Sequence, residues 1–305
     1  MKKTTTASVW RNLRLGCGAP LVALCLGSGF FPSAAWAASD AELRKALTFF
    51  AGFDGGVNAG FARGDALLYT AKDMKAPRIG TPGLPSDGSV SIAKGEGVHG
   101  DALRFNRKSS AIVFYKAPKN LDYRASGWNG TVSLWLKLSP DEDLEPGYCD
   151  PLQITPRDWN DAAFWVDFSK DEKPRHFRLG AFADTKSWNP QGKKFEEMSE
   201  AEKPMITVTH PPFRRDRWTH VAFTFENLNT GKADAVSRLF LDGKLIGELK
   251  GKSQTFTWDL EKTLIMFGIY YTGLYDELAV FDRALSGAEV ETVRQLHKGI
   301  GGLIK

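Results

Sequence analysis

Two short stretches of strict alternation put polar and aromatic side chains where they can meet. In Ala163–Phe168, Phe164, Val166 and Phe168 share one face and leave Trp165 and Asp167 on the other, because successive residues of a strand point to opposite sides. In His176–Phe182, Phe177, Leu179 and Ala181 share one face and leave His176, Arg178 and Phe182 opposite. If residues 169–175 close a hairpin, Trp165 and Asp167 stand beside His176 and Arg178. Such a group could stack a sugar ring on the indole and hold its hydroxyls through bidentate hydrogen bonds. The same spacing also describes a plain cross-strand ion pair, with Trp165 covering the edge of a core.

A second concentration lies in the segment 147–161, which carries Tyr148, Asp150, Gln153, Trp159, Asn160 and Asp161. It reads as a loop of the composition that lines saccharide sites. Equally, Pro151 and Pro156 could stiffen a long surface excursion whose aromatics plug the interior. Cys149 sits in it with no base nearby in the sequence to make its thiol a nucleophile. Asp141-Glu-Asp-Leu-Glu145 follows Pro140 and precedes Pro146-Gly147, which marks it as a solvated loop. The five histidines show no paired metal spacing, so zinc is not expected. Arg63-Gly-Asp65 is ordinary turn chemistry.

The elements that must position these residues are short strands. Segments 111–115, 131–138, 163–168, 176–182 and 219–225 are rich in β-branched and aromatic residues. Asp242-Gly243 stands between two apolar runs and suits the positive φ values of a type I′ hairpin. One helix is expected near the end: Ser286-Gly-Ala-Glu289 is a capping box, Val290, Val293 and Leu296 form a stripe, and Gly299 stops it. Many strands with one terminal helix predict an all-β, two-sheet antiparallel sandwich.

Three segments carry a family resemblance. Arg217-Trp-Thr-His-Val-Ala-Phe-Thr-Phe225, Leu239-Phe-Leu-Asp-Gly-Lys244 and Gly273-Leu-Tyr-Asp-Glu-Leu-Ala-Val-Phe-Asp-Arg-Ala-Leu-Ser286 together resemble the laminin G-like jelly roll of the concanavalin A-like lectin/glucanase superfamily. Gly100-Asp-Ala-Leu-Arg-Phe105 and Gly130-Thr-Val-Ser-Leu-Trp-Leu136 extend the likeness over most of residues 48–297. The long middle region 140–215 departs from the short versions of the domain. The resemblance implies one structural calcium ion on the convex side, held by Asp54, backbone of Gly55 and Asp276. Calcium suits such oxygen ligands in flexible geometry; the alternative is that both carboxylates cap turns. His220, in the Trp-x-His-Val strand, is expected to be structural.

Some relatives of this fold cleave polysaccharides with Glu-x-Asp-x-x-Glu on one strand, and no such string occurs here. That favours a non-catalytic binding module, which would take a carbohydrate or a cell-surface protein through the concave face and loops. The alternative is a glycan-active hydrolase or lyase drawing Asp150, Asp161 and Asp167 from different segments. Two carboxyls at catalytic separation would be its requirement.

Charge and targeting set the surroundings. The chain has 305 residues and a formal charge of +4. Lys2, Lys3, Arg11 and Arg14 account for all of it, since residues 1–37 hold no acid. The remainder is neutral, which excludes the basic footprint that nucleic acids or anionic lipids require. The basic start, the apolar stretch around 21–26 and Ala35-Trp-Ala37 predict a signal peptide over 1–37 and a single domain over 38–305, secreted or periplasmic. Glycines and Pro20 break the apolar stretch short of a membrane span. Cys17 and Cys25 leave with the signal, so Cys149 has no intramolecular disulfide partner and is expected to be buried. The mature product is expected to be a monomer.

Overall fold

The computed structural model describes residues 39–75 and 77–304, so the predicted signal segment and its cleavage site lie outside the described residues. In chain order the strands are β1 (Leu47–Ala51), β2 (Phe61–Ala62), β3 (Tyr69–Ala71), β4 (Thr81–Pro82), β5 (Val90–Ala93), β6 (Ala102–Phe105), β7 (Ile112–Lys116) and β8 (Trp128–Lys137). They continue with β9 (Cys149–Thr155), β10 (Ala163–Phe168), β11 (Phe177–Phe182), β12 (Met205–Val208), β13 (Thr219–Leu228), β14 (Ala235–Leu241), β15 (Lys244–Lys252), β16 (Leu264–Ile269) and β17 (Gly273–Phe281). Helices α1 (Asp40–Ala46), α2 (Pro140–Asp143), α3 (Thr185–Trp188) and α4 (Gly287–Gln295) are short.

Two antiparallel sheets face each other. One runs β15-β14-β13-β8-β17-β1-β2, with β6 and β5 joined beside β17; the other runs β12-β11-β10-β9-β16-β7-β3-β4. Alternate residues of both enter one core: Val132, Leu134 and Leu136 from β8 meet Phe164, Val166 and Phe168 from β10. Trp128 anchors it, with its ring 4.5 Å from Phe225 and 4.8 Å from Trp258. The expected all-β sandwich is therefore the observed architecture.

The outer face of the nine-stranded sheet is covered as well. Leu43 and Ala46 of α1, Val290 and Val293 of α4, and Leu303 pack on Phe50, Ala222, Phe240 and Phe281. The capping box at Ser286 forms as expected, with Ser286 Oγ accepting from the Glu289 amide and the Glu289 carboxylate accepting from the Ser286 amide. The same device starts α1 at Ser39-Asp-Ala-Glu42, a helix that the periodicity of so few residues does not reveal. Segment 141–145 opens with one turn of helix, α2. Asp242 and Gly243 take φ of 48° and 77° in the β14–β15 hairpin. Among the described residues, no helix is long and apolar enough to cross a membrane.

Candidate functional site

The segment read as a loop around Cys149 is a central strand, β9, between β10 and β16. Proline argues against a central strand because it cannot donate to the ladder, and Pro151 produced that misreading. The strand tolerates it through a bulge. Val166 pairs with Leu152 and Phe168 with Cys149, so β9 spends three steps where β10 spends two. Leu152 and Cys149 both enter the core, and Asp150 turns outward to the same face as Asp167. The core position leaves the Cys149 thiol buried, and burial pushes its pKa well up, the environment of an inert structural cysteine.

Above β9, β10 and β11 lies a cavity of about 760 Å³. Its floor includes Asp150, Gln153, Trp165, Asp167 and Arg178, and its wall includes Tyr148 and Trp159. Asp167 faces Arg178 directly across the β10–β11 pair. The guanidinium grips both carboxylate oxygens, Nε at 2.8 Å from Oδ1 and Nη2 on Oδ2. The cross-strand ion pair of the plainer reading is thus present, and it is buried, with 6% of the Asp167 side chain accessible. Arg178 also lies 5.0 Å from the Tyr148 ring centre and 5.4 Å from that of Trp165, distances at which a cation is attracted to the ring face.

Trp165 does not offer the open platform expected of it. It is 3% exposed, lies flat across Gly180, stacks on Phe182 at 5.4 Å, and donates its indole N–H to the Trp159 carbonyl. The accessible rings are on the rim: Tyr148 at 48%, Trp159 at 42% and Tyr270 at 37%. Asp150 takes no hydrogen bond from any described residue, and its carboxyl is pushed well above the usual range, first by burial and then by Asp167, with Arg178 opposing.

Two of the residues expected in this group lie elsewhere. His176 precedes β11, its amide donates to Ser169 Oγ, and it does not line the cavity. Its neighbour Arg175 turns inward and donates to the carbonyls of Leu144, Glu145, Gly147 and Ser169, which fixes the approach to β9. Asp161 accepts from the Thr185 amide and pairs with Arg157 at 2.8 Å, outside the lining. The lining also takes Arg78, Lys108, Phe195, Glu196 and Tyr270 from distant segments. Tyr270 is held at φ 54°, a strained conformation for an aromatic residue. Nothing in its local sequence signals this.

In β17, an interior strand of the nine-stranded sheet, and in the turn after β1, the three residues expected to hold calcium have partners. Asp276 accepts from the amides of Val98 (2.8 Å), His99 (3.4 Å) and Glu277 (2.8 Å). Asp54 accepts from the Asp101 amide at 2.7 Å, and Gly55 donates its N–H to the Asp101 carboxylate at 3.3 Å. Burial pushes Asp276 up to about 9, with Glu277 adding to it; Glu277 itself rises to about 7, with Asp54 adding. No cation among the described residues offsets either acid. Among the described residues no three His, Cys, Asp or Glu side chains converge as a ligand set.

No curated protein sequence matches the chain. Among solved structures it is similar to domain 4 of AbnA, an extracellular GH43 arabinanase from Geobacillus stearothermophilus solved in complex with arabinotriose. The TM-score is 0.50 at 17% identity, over 82% of this chain and 98% of that one. It is also similar to the binding domain of Paraclostridial Mosquitocidal Protein 1, with TM-score 0.50 and 14% identity over 83% of this chain. It spans 52% of that domain. At such identities these likenesses speak to the fold alone. A laminin G family model described as concanavalin A-like lectin/glucanases superfamily matches residues 108–291, more than half of the chain. With its two facing antiparallel sheets, the chain belongs to the concanavalin A-like lectin/glucanases superfamily.

Proposed function

We propose that the chain is an exported, non-catalytic saccharide-binding domain whose ligand enters the cavity over β9, β10 and β11. The observation that carries this is the three half-exposed rings of Tyr148, Trp159 and Tyr270 standing around a polar floor. Ring faces bury the apolar side of a sugar, and a few placed polar groups fix its orientation. The GH43 domain that shares this fold was solved with a bound oligosaccharide, which supports the same class of ligand here. Binding is favoured over cleavage because Arg178 occupies both oxygens of Asp167 and Asp161 lies outside the cavity. On the floor, Asp150 then stands without a second free carboxylate, and the other acids of the lining, Asp158 and Glu196, come from the rim segments. The test is calorimetric titration of the wild type and of Trp159→Ala and Tyr148→Ala with neutral oligosaccharides. Equal affinity in all three would overturn the assignment, as would new reducing ends that disappear in Asp150→Asn.

A structural calcium ion is part of the proposal. Asp276 and Glu277 are two adjacent buried acids whose ionisation burial and mutual proximity oppose, and carboxylate with peptide oxygen is the donor chemistry calcium takes. Asp54 and Asp276 would supply its carboxylate oxygens, with the peptide oxygen of Gly55 and the remaining positions left to water. Its contribution would be to stabilise the ionised acids beside β17.

A further inference from the structure

Most polar groups in the cavity already have protein partners. Asp167 and Arg178 hold each other, Trp165 donates to Trp159, Lys108 donates to the Pro146 carbonyl at 2.7 Å, and Arg78 donates to the carbonyls of Met74 and Arg157. Two floor groups stand apart. Asp150 takes no hydrogen bond from any described residue. Gln153 is 3% exposed, lines the cavity, and its side-chain amide has no partner among the described residues. Buried polar groups are normally satisfied, and one left open at a cavity floor asks for a ligand atom.

Both come from β9, and the bulge at Pro151 sets their spacing. They present a carboxylate acceptor and an amide that donates and accepts. The charge of the lining is also informative: Asp150, Asp158, Asp167 and Glu196 stand against Arg78, Lys108 and Arg178, so no net positive field awaits an anion. With Arg178 given to Asp167, an acidic ligand group at the floor finds no free cation to pair with it.

We propose that Asp150 and Gln153 are the specificity-determining pair of the cavity and that they select a sugar residue without an acidic substituent, Asp150 accepting from its hydroxyls and Gln153 bonding a neighbouring oxygen. This rests on the saccharide reading given above. A site with open polar groups and no free cation rejects a ligand that brings an unpaired charge to the floor, because that charge is then buried without a partner.

The experiment is calorimetry at neutral pH with arabinotriose, galactotriose and cellotriose against trigalacturonate, on wild type, Asp150→Asn, Gln153→Ala and Trp159→Ala. The expected result is a neutral trisaccharide bound at least about tenfold more tightly than trigalacturonate, with that preference lost in Asp150→Asn and neutral binding weakened about tenfold in Gln153→Ala. Trigalacturonate bound by wild type as well as the best neutral sugar overturns the proposal without any variant. Neutral binding that falls in Trp159→Ala but is untouched in Asp150→Asn and Gln153→Ala overturns it and leaves the saccharide reading intact. Wild type that binds none of the four sugars removes both.

Discussion

The indole of Trp165 lies flat on Gly180, its direct partner across β10 and β11, where a Cβ would overlap the ring carbons. Gly180 therefore sets the depth of the cavity floor, because only a residue without a side chain lets the ring lie down. Gly180→Ala should lift the indole, displace Arg178 above it and cost about 1–3 kcal/mol, the usual range for overpacking. Denaturant unfolding reads the stability change, and tryptophan fluorescence reads the ring movement. An unchanged unfolding midpoint and spectrum would show that the ring has another resting place.

Trp159 and Trp165 should separate binding from folding. Trp159→Ala removes a rim ring that is 42% exposed and should weaken saccharide binding about tenfold with little change in Tm. Trp165→Ala empties a buried position and should cost about 3–5 kcal/mol of stability.

The Asp167–Arg178 pair should be costly to break and cheap to replace. Arg178→Met leaves a buried carboxylate without its partner, at an expected loss of about 3–5 kcal/mol. Adding Asp167→Leu should recover much of it, since well-packed apolar residues often substitute for a buried ion pair without loss. A double-mutant cycle by thermal unfolding measures the coupling.

His220 should contribute an acid limb to the stability curve. It is fully buried in β13, with Nε2 2.8 Å from Ser133 Oγ, and burial lowers its pKa to about 3. A depressed folded pKa means that the unfolded chain binds the proton more readily. The stability is then whole above about pH 6.5 and is lost as pH falls from there toward 3, on the order of 5 kcal/mol across the window. His220→Gln should flatten the curve between pH 6 and 4; an identical slope in the variant would reassign the limb to other groups.

Calcium should raise the melting temperature. At about a hundred times its Kd, a single ion that binds only the folded state adds about 2.7 kcal/mol, or about 5 °C for a chain of this size. Asp276→Asn should abolish that rise. A wild-type Tm indifferent to calcium and to chelator removes the ion from the proposal.

How far the residues reveal the fold varies along the chain. The β14–β15 hairpin was legible because Asp242-Gly243 is the local chemistry of its turn, and α4 because Ser286 and Glu289 cap it. Alternation placed Asp167 opposite Arg178 correctly, since period two needs no knowledge of the partner strand. It overreached by one residue at the hairpin, where His176 obeys the hydroxyl of Ser169, while Arg175 in the expected turn reaches the buried carbonyls of 144–147. Composition alone gathered Tyr148, Asp150, Gln153 and Trp159 into one site, while Pro151 disguised the strand that carries Asp150 and Gln153. The contributions of Arg78, Lys108 and Tyr270 depend on how distant strands are ordered, which no local pattern carries.

The extra residue in β9 has a chemical consequence. Without the bulge, strict alternation from Leu152 would send Asp150 into the core and Cys149 out to the cavity. One backbone irregularity thus selects which of two adjacent side chains meets solvent. It keeps an oxidisable sulfur shut away and puts in its place an acid that oxidation leaves unchanged.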